Sequence, residues 1–109
     1  MERFVKGDVV VVPFPFSDLT TVKRRPAFVV ATPGGDDIIL CQITSQQVRD
    51  RYAISDTDFT EGTLRKGSNI RQNRLFSADA GLVLYRAGHL NDQAILSVIT
   101  RLIEILQAG

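Results

Sequence analysis

Tryptophan is absent from the 109 residues, and cysteine, histidine and methionine occur once each. Each scarcity excludes something. The lone cysteine, Cys41, forbids an intrachain disulfide, and its place in the apolar run IILCQI reads as a buried, unreactive thiol. The lone histidine, His89, lies far from it in sequence, so no Cys/His zinc set can form. The acids Asp56, Asp58 and Glu61 lack the spacing of a calcium loop. Nucleophilic catalysis by a serine or cysteine would need His89 as base, and its glycine-flanked position just before a helix start reads as structural. No apolar run approaches the roughly 20 residues needed to span a bilayer, and the start MERFVKGDV lacks the apolar segment of a signal peptide. The sequence therefore reads as cytoplasmic, with no membrane, metal or cofactor implied. With a net charge of +1 there is no strong global field, so any nucleic-acid partner must be held by a local basic patch.

What is present is a core. At 44% hydrophobic and 23% charged, residues 1–109 read as one globular domain able to bury roughly two thirds of its unfolded surface. The chain is organised around Gly7 to Val30, two apolar β-runs joined by a polar loop that ends in Lys23, Arg24 and Arg25. Four consecutive valines, Val9 to Val12, predict a strand apolar on both faces and hence central. Pro13 and Pro15 lack backbone donors, so pairing is expected to fail there and to resume at Ala27 to Ala31, after Pro26. Pro26 biases Arg25 away from the α region, which predicts an extended arginine at a strand entrance. A turn at Pro33 to Asp36 leads to a third strand, Asp37 to Thr44, completing a meander. Ser45 to Arg51 reads as a loop or a single helical turn, Tyr52 to Ile54 as a short strand, and Asp56 to Gly62 as a turn-rich connection anchored by Phe59.

Between Glu61 and Asp79 there is no acid, while Arg65, Lys66, Arg71 and Arg74 all fall there, around an expected strand from Ser68 to Asn73. Alternation would put Asn69, Arg71 and Asn73 on one face and Ser68, Ile70 and Gln72 on the other. Leu82 to Leu90 reads as a last strand interrupted at Gly88. Asn91 then caps a helix with an apolar stripe of Ile95, Val98, Ile99, Leu102, Ile103 and Leu106. Short strands followed by one terminal amphipathic helix make an α+β plan, a strongly curved antiparallel sheet covered by a helix.

The pattern Gly7-Asp8, an apolar run, Phe14-Pro15-Phe16, a loop, Lys23-Arg24-Arg25-Pro26-Ala27 and a second apolar run resembles the opening of the MazF/PemK family of toxin endoribonucleases. Two further blocks resemble the same family in the same order, ITSQ at Ile43 to Gln46 and GSNIRQNRLFSAD at Gly67 to Asp79. The resemblance implies a small SH3-like antiparallel barrel of the CcdB/MazF type with a C-terminal helix. It also implies a homodimer that cleaves single-stranded RNA and is neutralised by a cognate antitoxin whose acidic segment covers a basic cleft.

Cleaving RNA needs no metal, because the 2′-hydroxyl is a built-in nucleophile; the protein must remove a proton, stabilise the phosphorane oxygens and help the 5′-oxygen leave. Guanidinium forks suit the second task, which selects Arg25 and Arg71, and Thr44 and Ser68 could each donate to a phosphate oxygen. The resemblance places Arg25, Thr44 and Arg71 at the family's active-site positions. It departs at the base. Some members carry an aspartate where this chain has Ser68, and others a glutamate in the loop before the arginine, where this chain has Asp18. Asp18, Arg25 itself, or no side-chain base are the candidates. Lys23, Arg24, Arg65, Lys66, Arg74 and Phe16 are the expected RNA-binding residues. The competing reading is a non-catalytic relative that binds RNA, antitoxin or a topoisomerase. Gyrase poisons of this fold act through a C-terminal tryptophan, which this chain lacks.

Overall fold

The computed structural model describes residues 3–15, 22–45, 52–64 and 67–109. Its elements are β1 (Asp8–Pro15), β2 (Val22–Gly34), β3 (Asp37–Thr44), β4 (Tyr52–Ile54), a 3-10 turn (Asp56–Asp58), β5 (Phe59–Gly62), β6 (Ser68–Asp79), a second 3-10 turn (Ala80–Leu82), β7 (Tyr85–Leu90) and α1 (Asp92–Ala108). The strands form one antiparallel sheet in the order β4-β6-β3-β2-β1-β7-β5. This is the expected α+β plan, a curled half-barrel with one C-terminal helix. Among the described residues, no helix is long and apolar enough to cross a membrane.

The valine run explains the sheet's two-sided core. Val9 packs on one face with Phe28, Cys41, Ile43, Ile70 and the helix residues Ala94, Val98 and Leu102. Val10 and Val12 pack on the other with Ala27, Val29, Ile38 and Leu40. Phe14 on β1 and Phe76 on β6 belong to that second cluster and meet edge to face, with ring centroids 5.1 Å apart. Two strands separate β1 from β6 in the sheet order, so the sheet must curl strongly for these rings to touch. The second cluster therefore lines a concave, inner face of the sheet, and the helix packs on the opposite face, where β4 and β5 from the two ends of the sheet also meet. Phe28 is fully buried at the centre of the first cluster. Phe28→Ala is expected to lower stability by about 3–5 kcal/mol, measured by urea denaturation at unchanged fold.

Several expected boundaries shift. Pairing does not stop at Pro13; β1 and β2 stay in register through Pro15 opposite Val22. The reason lies in which edge the prolines face. Val11 accepts from the Leu84 amide on the β7 side, so Val11, Pro13 and Pro15 all turn their backbone groups away from β2. The missing donors then cost nothing to the β1–β2 ladder. As a result β2 starts at Val22, and Lys23, Arg24 and Arg25 lie inside the strand, not at its entrance. The connection expected over Asp56 to Gly62 becomes strand from Phe59 on, and Phe59 does pack against the core. Gly62, at φ +67°, and Gly88 let β5 lie directly on β7: a methyl group on Gly62 would strike the Ala87 carbonyl oxygen. Gly88 marks a bulge in β7 and not a break. The strand expected at Ser68 to Asn73 runs on to Asp79. Ser45 belongs to the described residues, but the rest of the loop expected at Ser45 to Arg51 lies outside them.

His89 is held in place by Asp8, its Nδ1 lying 2.8 Å from the Asp8 carboxylate. The same buried carboxylate accepts from the Val5 amide, and Arg86 bridges from its neighbourhood to Glu61. That network ties the N-terminus to β7 and β5. Cys41 is buried, and burial pushes its thiol up to about 12, which keeps it protonated and inert.

Helix α1 begins as expected, with the Asn91 side chain accepting from the Ala94 amide at 2.8 Å. Its buried line is narrower than the sequence stripe. Ala94, Val98 and Leu102, spaced by four, face the sheet, while Leu96, Ile103 and Leu106 are exposed. Ile95 and Ile99 flank that line and pack partly against the core; Ile103 lies too far round the helix for the sheet to cover it, and Leu106 continues the line past its last buried residue.

Candidate active site

Register and pleat alternation place the sequence-selected residues. Val12 lies on the inner face and pairs with Arg25, and Phe14, also on the inner face, pairs with Lys23. Arg25 and Lys23 therefore face the inside of the curl, and Arg24 between them faces the outside. The basic triplet is not uniform. Arg25 is half-buried, with its Nε fully shielded, whereas Lys23 and Arg24 are exposed.

Thr44 ends β3, and it shares the inner face with Leu40 by the same alternation. Opposite it in β6 is Asn69, only 5% exposed, whose side-chain amide donates to the Thr44 carbonyl oxygen at 3.5 Å. Asn69 pairs on its other side with Ala53 of β4. Arg71, two residues on, is half-buried. The N-terminal end of β2, the C-terminal end of β3 and the N-terminal end of β6 are the same end of the sheet, since neighbouring strands run antiparallel. Arg25, Thr44, Asn69 and Arg71 thus gather at one mouth of the half-barrel.

A bulge shapes this mouth. Cys41 pairs with Leu75 and Ile43 with Ile70, so two steps along β3 correspond to five along β6. The surplus falls at residues 71–74, where Arg71 and Arg74 lie. Such bulges bend a strand and re-aim its side chains. They set two guanidinium groups on backbone that the flat ladder would have kept regular.

Ser68 is placed elsewhere. It pairs with Ile54, a residue of the outer-face core, so its side chain points to the helix side of the sheet. There it lines a cavity of about 360 Å³ with Ile54, Phe59, Thr63 and Leu64, away from Arg25 and Thr44. The sequence alternation that separated Ser68 from Arg71 holds in this respect. Asp18, Phe16, Arg65 and Lys66 lie outside the described residues. Asn69 and Gln42 escaped selection as site residues. Asn69 was visible on the face of Arg71, but only the β3–β6 register puts it against Thr44. Gln42, on the inner face two residues before Thr44, sits in an otherwise apolar run that reads as core. Among the described residues, no three His, Cys, Asp or Glu side chains cluster closely enough to hold a metal ion.

Two comparisons with known proteins bear on this arrangement. Residues 5–106 match the family model described as the PemK-like, MazF-like toxin of type II toxin-antitoxin systems. The chain belongs to that toxin family. Similar solved structures include the MazE–MazF complex from Deinococcus radiodurans, 14% identical over the whole of both chains with a TM-score of 0.79. They also include an endoribonuclease from a mycobacterial species, 14% identical, covering 98% of this chain and 94% of that one at a TM-score of 0.71. A mycobacterial endoribonuclease in complex with its cognate antitoxin matches at 12% identity, covering 99% and 96% of the two chains, also at 0.71. At these identities the structures establish that the MazF-like toxins and this chain share a fold. No curated protein matches it significantly in sequence.

Proposed function

We propose that this MazF-like toxin is an endoribonuclease that cuts single-stranded RNA at specific sequences by attack of the 2′-hydroxyl on the adjacent phosphodiester. The observation that carries the reading is the gathering of Arg25, Thr44 and Arg71 at one mouth of the sheet, with Arg25 and Thr44 on its inner face. Arg25 and Arg71 present two guanidinium forks to the phosphoryl oxygens, where negative charge grows as the 2′-oxygen adds to phosphorus. The Thr44 hydroxyl donates to the same group, and Asn69 holds the end of β3 that carries it. The 2′-hydroxyl proton goes to Asp18 or, with no side-chain base, to solvent, since an Arg25 that stays cationic on the phosphoryl oxygens cannot take it. The P–O5′ bond breaks, and O5′ takes a proton as it leaves. The products are a 2′,3′-cyclic phosphate and a 5′-hydroxyl. None of these steps needs a cation, so purified protein is expected to cut a mixed RNA as well in EDTA as in magnesium. Activity restored only by magnesium would refute the mechanism.

The toxin acts as a homodimer under this reading, and Leu96, Ile103 and Leu106 on α1 supply apolar surface for a second copy. A sedimentation mass of one chain at micromolar concentration would count against it. The cognate antitoxin is the regulatory partner, with an acidic segment laid over the basic mouth in the cytoplasm. Its affinity is expected to fall steeply between 50 and 300 mM salt, since Lys23, Arg25, Arg71 and Arg74 supply the complementary charge; a salt-independent Kd by titration calorimetry would contradict that.

A further inference from the structure

We propose that the cavity next to the Arg25 mouth is a base-recognition pocket, which takes one unstacked nucleobase beside the scissile phosphate and reads its edge with Gln42 and Arg74. The cavity has a volume of about 400 Å³, and its lining includes Phe14, Phe76, Leu82, Gln42 and Arg74. The nature of the ligand rests on the endoribonuclease reading above; the pocket itself does not.

Position comes first. Gln42 lies two residues from Thr44 on the same face of β3, or about 7 Å along the strand. Phe14 stands two residues beyond Val12 on β1, and Val12 is the partner of Arg25. The pocket thus lies beside the mouth that holds Arg25 and Thr44. A nucleotide whose phosphate sits on Arg25 and Thr44 carries a neighbouring base within reach of it.

Chemistry comes second. Phe14 and Phe76 meet edge to face, 87° between planes, so the rings do not stack on each other and a ring face is left for a base. The polar members are an amide and a guanidinium. Gln42 offers both a donor and an acceptor, and Arg74 offers a fork of donors at the exposed rim. A purely apolar occupant, such as a side chain of a second copy, would bury the Gln42 amide without a partner. A base would satisfy it. Single-stranded RNA is read in this manner, by stacking an extruded base and hydrogen-bonding its edge.

The test uses the whole protein and 2′-O-methyl hexanucleotides that vary the base at each position in turn. These bind and cannot be cut, so the result is independent of catalysis. Wild type is expected to prefer one base at one position by about 10-fold or more. Gln42→Leu should reduce that preference to within about threefold while affinity for the disfavoured oligonucleotides changes little; Arg74→Gln should reduce it as far and, by loss of one cation, also weaken every oligonucleotide by a similar factor. Leu82→Trp, at the rim, should fill the cavity and weaken the preferred oligonucleotide selectively. Equal affinity for all four bases in wild type, or an unchanged preference in Gln42→Leu, would overturn the proposal. So would a Leu82→Trp protein that loses its dimer by sedimentation while its base preference is intact, because the cavity would then belong to a chain–chain contact. Failure to cut RNA with base preference intact would instead refute the endoribonuclease reading alone.

Discussion

Replacing Arg25 with alanine is expected to lower single-turnover cleavage at saturating RNA by about 10²-fold or more, the scale of losing one preorganised charge-stabilising donor. The expectation comes from its burial and its direction. Arg25 is half-buried, paired opposite Val12 and followed by Pro26, so its side chain leaves a fixed backbone toward the inside of the curl. A guanidinium held that way loses little freedom when it meets the phosphorane. Arg25→Lys should fall nearly as far, since charge survives and the bidentate fork does not. The exposed neighbours behave differently. Lys23→Ala, on the same face, should weaken RNA binding and reduce its salt slope by roughly one unit while leaving saturated cleavage nearly intact. Arg24→Ala, on the opposite face, should do less than Lys23→Ala. If Arg25→Ala cuts at the wild-type rate with RNA saturating, Arg25 only binds, and the catalytic charge belongs to Arg71.

An RNA carrying a single 2′-deoxy or 2′-O-methyl sugar at the scissile nucleotide is expected not to be cut, even after prolonged incubation, although it binds as tightly as the parent. The change removes the attacking oxygen and leaves every contact to the phosphate in place. No variant of the protein should have a larger effect. Cleavage of the modified RNA at the same bond would mean that water or a side chain is the nucleophile. Ser68 would be a poor choice for that role, since it opens into the cavity on the helix side of the sheet.

Much of this was legible before the structure, and the misses have physical causes. β3 and β4 have the expected bounds, and α1 starts at the expected cap, because alternation and capping are local signals. The start of β2 was not legible. Whether a proline interrupts a ladder depends on which neighbour its nitrogen faces, and Pro13 and Pro15 face away from β2. The length of β6 was hidden by its bulge, where the polar run Arg71 to Arg74 breaks the alternation that marks a strand. The helix stripe loses Ile103 and Leu106 to solvent, since periodicity shows which residues are apolar and neither how many of them one sheet face covers nor where along the helix the sheet ends. Of the site, the arginines and Thr44 were legible as residues from the family blocks. Their meeting at one mouth of the sheet was not, because it follows from a register among β1, β2, β3 and β6 that no single stretch of sequence contains.

The chemistry of the new RNA ends tests the central claim most directly. RNA cut by the purified toxin in EDTA should carry 2′,3′-cyclic phosphate or 3′-phosphate on the upstream fragment and a free 5′-hydroxyl on the downstream one. The downstream fragment should then accept label from polynucleotide kinase without prior phosphatase treatment. A 5′-phosphate with a 3′-hydroxyl would contradict attack by the 2′-oxygen, and with it the roles given to Arg25, Thr44 and Arg71.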